Sequence, residues 1–103
     1  MRESELETYL DQQARALDGR AVKIVSPALD GWPDRVLVLP YLPAIWIELK
    51  KPEVGPAGVT PRQQYWLDWL ADRGQFTAVV WTKEGVDAVI DMAKRWIWPG
   101  GKA

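Results

Sequence analysis

Hydrophobic residues recur at two different spacings along the chain, and the switches between them mark out its elements. Over "ESELETYLDQQARALDG", Leu6, Leu10, Gln13, Ala14 and Leu17 share one face at helical spacing, and Gly19 stands where such a helix ends. "AVKIV" (21–25) reads as a short strand, and "SPALDGWPD" (26–34), rich in Pro, Gly and Asp, as a loop. "RVLVL" and "AIWIELK" are β-rich runs joined by "PYLP", whose prolines stop both strands and predict a hairpin with a loop wider than two residues. After the Gly/Pro loop "KPEVGPAG", Thr60 and Pro61 supply an N-cap and a first helical residue for "PRQQYWLDWLADRG", which Gly74 closes. "FTAVVWT" (76–82) is a buried strand, and "EGVDAVIDMAKRWIW" a last helix stopped by Pro99 and two glycines. The order α-β-β-β-α-β-α, without an internal repeat, predicts an α/β fold with a small mixed β-sheet flanked by helices, in one domain spanning 1–103.

The strand period also says which side chains can meet. In "AIWIELK", Ile45, Ile47 and Leu49 face one way and Trp46, Glu48 and Lys50 the other, with Glu48 and Lys50 roughly 7 Å apart along the strand. A hairpin centred near Tyr41 and Leu42 pairs residues whose numbers sum to about 83, which sets Asp34 opposite Leu49, between Glu48 and Lys50. Two carboxylates brought together repel, and one pKa rises unless a cation neutralises them. A divalent metal would do so, and would also activate water and stabilise a phosphoryl oxygen beside a lysine. The plainer alternative is a solvated pair of Glu48 and Lys50 on an open sheet face.

Composition narrows the chemistry. The chain has neither Cys nor His. That removes disulfides, thiolate nucleophiles, imidazole bases and Cys/His zinc sites, and leaves carboxylates, lysine, hydroxyls and hard metal ions. An oxygen-only donor set favours Mg²⁺ or Mn²⁺. No apolar run is long enough to cross a bilayer, and "MRESELETYL" has acids where a signal peptide needs an apolar core, so a cytoplasmic protein without membrane contact is expected.

With these residues in place, the sequence resembles the VRR-NUC family of the PD-(D/E)XK nuclease superfamily, including its small phage and bacterial versions. The resemblance rests on "GWPDR", on "WIELK", on "TPRQ" opening the next helix and on "AVVWTKEGVDAVI", in that order over almost the whole chain. It implies a restriction-endonuclease-like core and a Mg²⁺- or Mn²⁺-dependent DNA endonuclease of a bacterial or phage-infected cell, acting on branched DNA such as Holliday junctions or flaps. Carried over, Asp34 and Glu48 are metal ligands, the main-chain carbonyl of Leu49 is a further ligand, and Lys50 is the catalytic lysine. The resemblance also implies a glutamate on the first helix and a glutamine on the helix after the E-x-K strand. Glu3 lies on the Leu6/Leu10/Leu17 face, Glu7 at its edge and Glu5 away from it, which selects Glu3; the alternative is that all three acids serve the helix N-terminus. Gln63 shares a face with Trp66, Leu67 and Leu70, whereas Gln64 is rotated off it, which selects Gln63. A non-catalytic DNA-binding or assembly module that keeps the same fold is the competing reading.

Charge fits a nucleic-acid partner only locally. The net charge is −1 and the pI about 5.4. Residues 1–18 carry −3, however, and the other 85 carry +2, which one Mg²⁺ would bring to +4. Lys50, Lys51, Arg62, Lys83 and Arg35 are the expected DNA contacts. Tyr65, Trp69 and Trp98 fall outside the helix faces assigned to the core, where Val86, Val89, Ile90, Ala93 and Ile97 line the last helix and Trp96 flanks them. Surplus aromatics predict a contact surface, read here as a two-fold homodimer, with stacking on unpaired bases as the alternative.

Overall fold

The computed structural model describes residues 2–97. Helix α1 (Glu3–Ala16) leads into strands β1 (Arg20–Lys23), β2 (Arg35–Val38) and β3 (Ile45–Leu49). A 3₁₀ turn (Gly55–Gly58), helix α2 (Pro61–Asp72), strand β4 (Phe76–Val80) and helix α3 (Lys83–Ile97) follow, so the expected element order holds. The sheet runs β1-β2-β3-β4, antiparallel through β3 and parallel between β3 and β4, with α2 as the crossover. The expected stop at Pro99 and the contact at Trp98 lie outside the described residues, as do the side chains of Trp96 and Ile97.

Local chemistry explains the boundaries. At the end of α1 it is Asp18 that takes the left-handed conformation (φ 62°). Gly19 is needed for a different reason, because a Cβ there would lie 2.3 Å from the Val38 carbonyl oxygen. At α2, Thr60 Oγ1 accepts the Gln63 N–H (3.1 Å) while Gln63 Oε1 accepts the Thr60 N–H (2.9 Å), a reciprocal capping box with Pro61 at the first helical position.

The two sheet faces are packed differently. On one, Leu6, Leu10 and Ala14 of α1 and Val86, Val89, Ile90 and Ala93 of α3 close over Leu37, Ile45, Ile47 and Leu49, forming a continuous aliphatic core. On the other, Trp46 meets Trp32 edge-on (centroids 5.3 Å apart), and Trp32 in turn packs on Trp66 and Trp69 of α2. Trp69 is therefore half-buried, under Trp32 and Trp66 and beneath the Arg73 guanidinium, and not the solvent-turned aromatic that a single helix stripe predicts. The indole layer widens the inner face of α2 beyond the stripe marked by its leucines.

The hairpin register differs from expectation by one residue. Arg35 pairs with Ile47, Val36 with Trp46 and Leu37 with Ile45, so paired numbers sum to 82 and the loop turns about Tyr41, which adopts φ 66° at its tip. Extended by one position, this register sets Asp34 opposite Glu48 and not Leu49. The β1 ladder also reaches that position, where the Ile24 N–H donates to the Asp34 carbonyl (2.8 Å). Directly opposed residues point to the same face, so this register puts the two acids together, whereas the expected one would have turned Asp34 to the aliphatic side.

Candidate active site

The acids sit where the indole-covered face runs out, each two residues beyond a tryptophan: Trp32 then Asp34, Trp46 then Glu48. Glu48 is only 4% exposed. Lys50 Nζ stands 3.7 Å from Glu48 Oε2, a close counter-charge on that strand face. Burial, followed by the neighbouring Asp34 charge, pushes the Glu48 carboxyl up to about 7; Lys50 opposes this, and Glu3 adds a smaller upward push. Asp34 is also raised, again chiefly by burial, against the pull of Arg35 and of the Leu49 backbone N–H. Its Oδ1 is buried with no hydrogen-bond partner. An anionic oxygen left unpaired in that setting is costly and is the kind of atom a cation would satisfy.

Backbone direction adds a third oxygen. The Lys50 N–H donates to the Val80 carbonyl on β4 (2.9 Å), so alternation turns the backbone groups of Leu49 the other way, toward β2 and Asp34. Among the described residues no group of three or more Asp, Glu, His or Cys side chains gathers as a metal-binding set. The acidic side chains on this face are Asp34 and Glu48.

The three N-terminal glutamates separate cleanly. Glu5 is exposed and accepts the Arg2 N–H (2.8 Å), closing the start of α1. Glu7 is ion-paired with Arg35. Glu3 is half-buried and is the one whose charge reaches Glu48. Gln63 has its side-chain oxygen committed to the α2 cap, and no hydrogen bond joins it to Asp34, Glu48 or Lys50.

The expected DNA contacts divide. Lys51 is exposed; Arg62 is 66% exposed and loosely paired with Asp30 (3.6 Å); Lys83 is exposed and lies over the Tyr9 ring (4.9 Å). Arg35 does not belong with them. It is 5% exposed, its Nη1 donates to the Asp34 carbonyl (3.0 Å) and lies 3.8 Å from Asp34 Oδ2, and its Nη2 pairs with Glu7. It is an internal counter-ion, and the signal was legible: Arg35 shares strand parity with Leu37 and Leu39, so it points into the core face. Of the aromatics expected at a dimer contact, Tyr65 alone is both described and largely exposed (59%).

No protein-family model matches the chain. Over 63 residues it is 40% identical to a protein named "Putative nuclease p44" of Acyrthosiphon pisum secondary endosymbiont phage 1, a match covering 61% of this chain and 64% of that relative. A solved "VRR_NUC domain" superposes with a TM-score of 0.78 at 27% identity, covering 86% of this chain and 94% of the other. A "VRR_NUC domain protein" superposes with a TM-score of 0.66 at 22% identity, covering 94% and 88%, and shares the fold. Aligned over nearly the full length of a solved VRR-NUC domain, with the four-stranded mixed sheet in place, the chain has the fold of VRR-NUC domain proteins.

Proposed function

We propose that the protein is a DNA endonuclease that hydrolyses phosphodiester bonds with the help of Mg²⁺ or Mn²⁺, with branched DNA, a Holliday junction or a flap, as its preferred substrate, inside a bacterial or phage-infected cell. The observation that carries this reading is the pairing of two acids, Asp34 and Glu48, each with its pKa raised chiefly by burial, beside Lys50, with the Asp34 Oδ1 atom buried and unpartnered. That donor set fits a hard divalent ion: Asp34, Glu48 and the Leu49 carbonyl would hold it. When bound, such an ion lowers the pKa of water and offsets charge on a phosphoryl oxygen.

The chain's own residues do the rest. Lys50, tethered at Glu48, is placed to orient the attacking water and to neutralise charge developing on the phosphate. Glu3 is placed to influence the protonation of Glu48 and to accept a proton from water near it. Gln63 keeps its Oε1 in the α2 cap and has its amide N–H groups left to offer a substrate. Lys51 and Lys83 supply exposed cations for the DNA backbone.

The test is incubation of the purified protein with labelled junction, flap, single-stranded and duplex DNA in Mg²⁺, in Mn²⁺ and in chelator. Cleavage that needs the ion and favours branched DNA is expected. Tight binding with no cleavage under any condition would leave the non-catalytic DNA-binding module instead.

A further inference from the structure

Beyond the acids, an open cleft of about 890 Å³ lies between the Asp30–Gly31 turn and the start of α2, walled by Thr60, Arg62, Tyr65 and Trp66. Its chemistry is unusual for a backbone-binding surface. Thr60 already caps the helix and Pro61 has no N–H, so the helix start offers little to an anion. The cleft has one guanidinium, Arg62, and one carboxylate, Asp30, which cancel in charge. Their pairing is loose, at 3.6 Å with both side chains largely in water, so each is free to exchange for another partner.

The aromatic wall is rigid. Trp66 donates its Nε1–H to the Asp30 carbonyl (3.0 Å), and Tyr65 stands edge-on to it, with centroids 5.0 Å apart and planes at 83°. Tyr65 is nonetheless 59% exposed, one helical turn from Arg62 and on the same side of α2. A cleft with an exposed ring, in which one guanidinium and one carboxylate balance in charge, suits a flat, neutral heterocycle better than a phosphate. The same wall continues through Trp32 to Trp46, which stand two residues before Asp34 and Glu48, so the cleft and the acids are built on the same chain segments.

We propose that this cleft binds an unpaired nucleobase of the DNA substrate, stacked on Tyr65, with Arg62 donating to its ring acceptors and Asp30 accepting from an exocyclic amine. The proposal rests on the nuclease reading for its substrate. It gives a physical basis for preferring flap DNA over intact duplex, since a flap presents unpaired bases next to a duplex and an intact duplex does not.

The test is fluorescence anisotropy in chelator, so that binding is read without cleavage. The probes are a duplex carrying a short single-stranded flap and the same duplex with abasic residues in the flap. The protein is expected to favour the base-bearing flap by about tenfold or more. Tyr65→Ala should erase that preference and Tyr65→Phe should keep it, and the exposure of Tyr65 makes both variants compatible with folding. Equal affinity for the two flaps, or an undiminished preference in Tyr65→Ala, would overturn the cleft. So would a free deoxynucleotide that binds as tightly as the flap, which would assign the cleft to a soluble ligand. Metal-dependent cutting without base preference removes the cleft alone, and base preference without cutting in any metal removes the nuclease alone.

Discussion

Strand β3 presents two opposite environments from adjacent residues. Ile45, Ile47 and Leu49 are closed under α1 and α3 in an aliphatic layer, whereas Trp46, Glu48 and Lys50 look out on indoles, a second acid and the edge of solvent. The first side contributes apolar burial, at roughly 25 cal/mol per Å². The second side spends stability: it holds a carboxyl raised to about 7 and a buried carboxylate oxygen with no partner. A small domain carries that cost because the aliphatic side of the same strand anchors it, and mutations on the two sides should therefore fail in different ways.

The largest contrast is in activity. Lys50→Ala and Asp34→Asn are each expected to lower metal-dependent cleavage by about 10²- to 10⁴-fold in a chain that still folds. Near wild-type cleavage by either variant would remove the site assignment. On the opposite side, Ile47→Ala should cost about 2–5 kcal/mol of stability, because Ile47 is fully buried and its truncation leaves a cavity. Denaturant unfolding would show it, and a loss below about 1 kcal/mol would mean that the aliphatic layer is looser than the packing implies.

A smaller effect has the opposite sign. Glu48 is raised from 4.5 to about 7, so the folded protein binds a proton more readily than the unfolded chain, and stability falls as pH rises through that window. Glu48→Gln removes the penalty. In chelator it should be more stable than the parent by about 1–3 kcal/mol at pH 8, and the gain should vanish at pH 4.5 and below. A Glu48→Gln variant that is less stable than the parent at pH 8 would contradict the cost assigned to this side. The finest distinction lies on α1. Glu3→Gln should slow cleavage several-fold more than Glu5→Gln, since the Glu3 charge is felt at Glu48 and Glu5 is occupied at the helix start. The reverse order in single-turnover rates would move the role to Glu5.

Much of this was legible in the chain. The helical and alternating periods located the three α-helices and four strands of the described residues, because apolar spacing reflects which side of each element must be buried. Alternation alone set Glu48 and Lys50 against Ile45, Ile47 and Leu49, and the absence of Cys and His restricted the chemistry to oxygen donors and lysine. The meeting of Asp34 with Glu48 was decided in three dimensions. It depends on a turn that pivots on Tyr41 at positive φ, a local backbone choice, and one residue of slip would have sent the acid into the core. The burial of Arg35 required a partner from elsewhere in the chain, since a guanidinium enters an aliphatic layer only when a carboxylate such as Glu7 arrives from α1 to meet it. Trp69 turned inward for a similar reason: the 26–34 loop carries Trp32 beneath α2, a long-range contact that no spacing within the helix records.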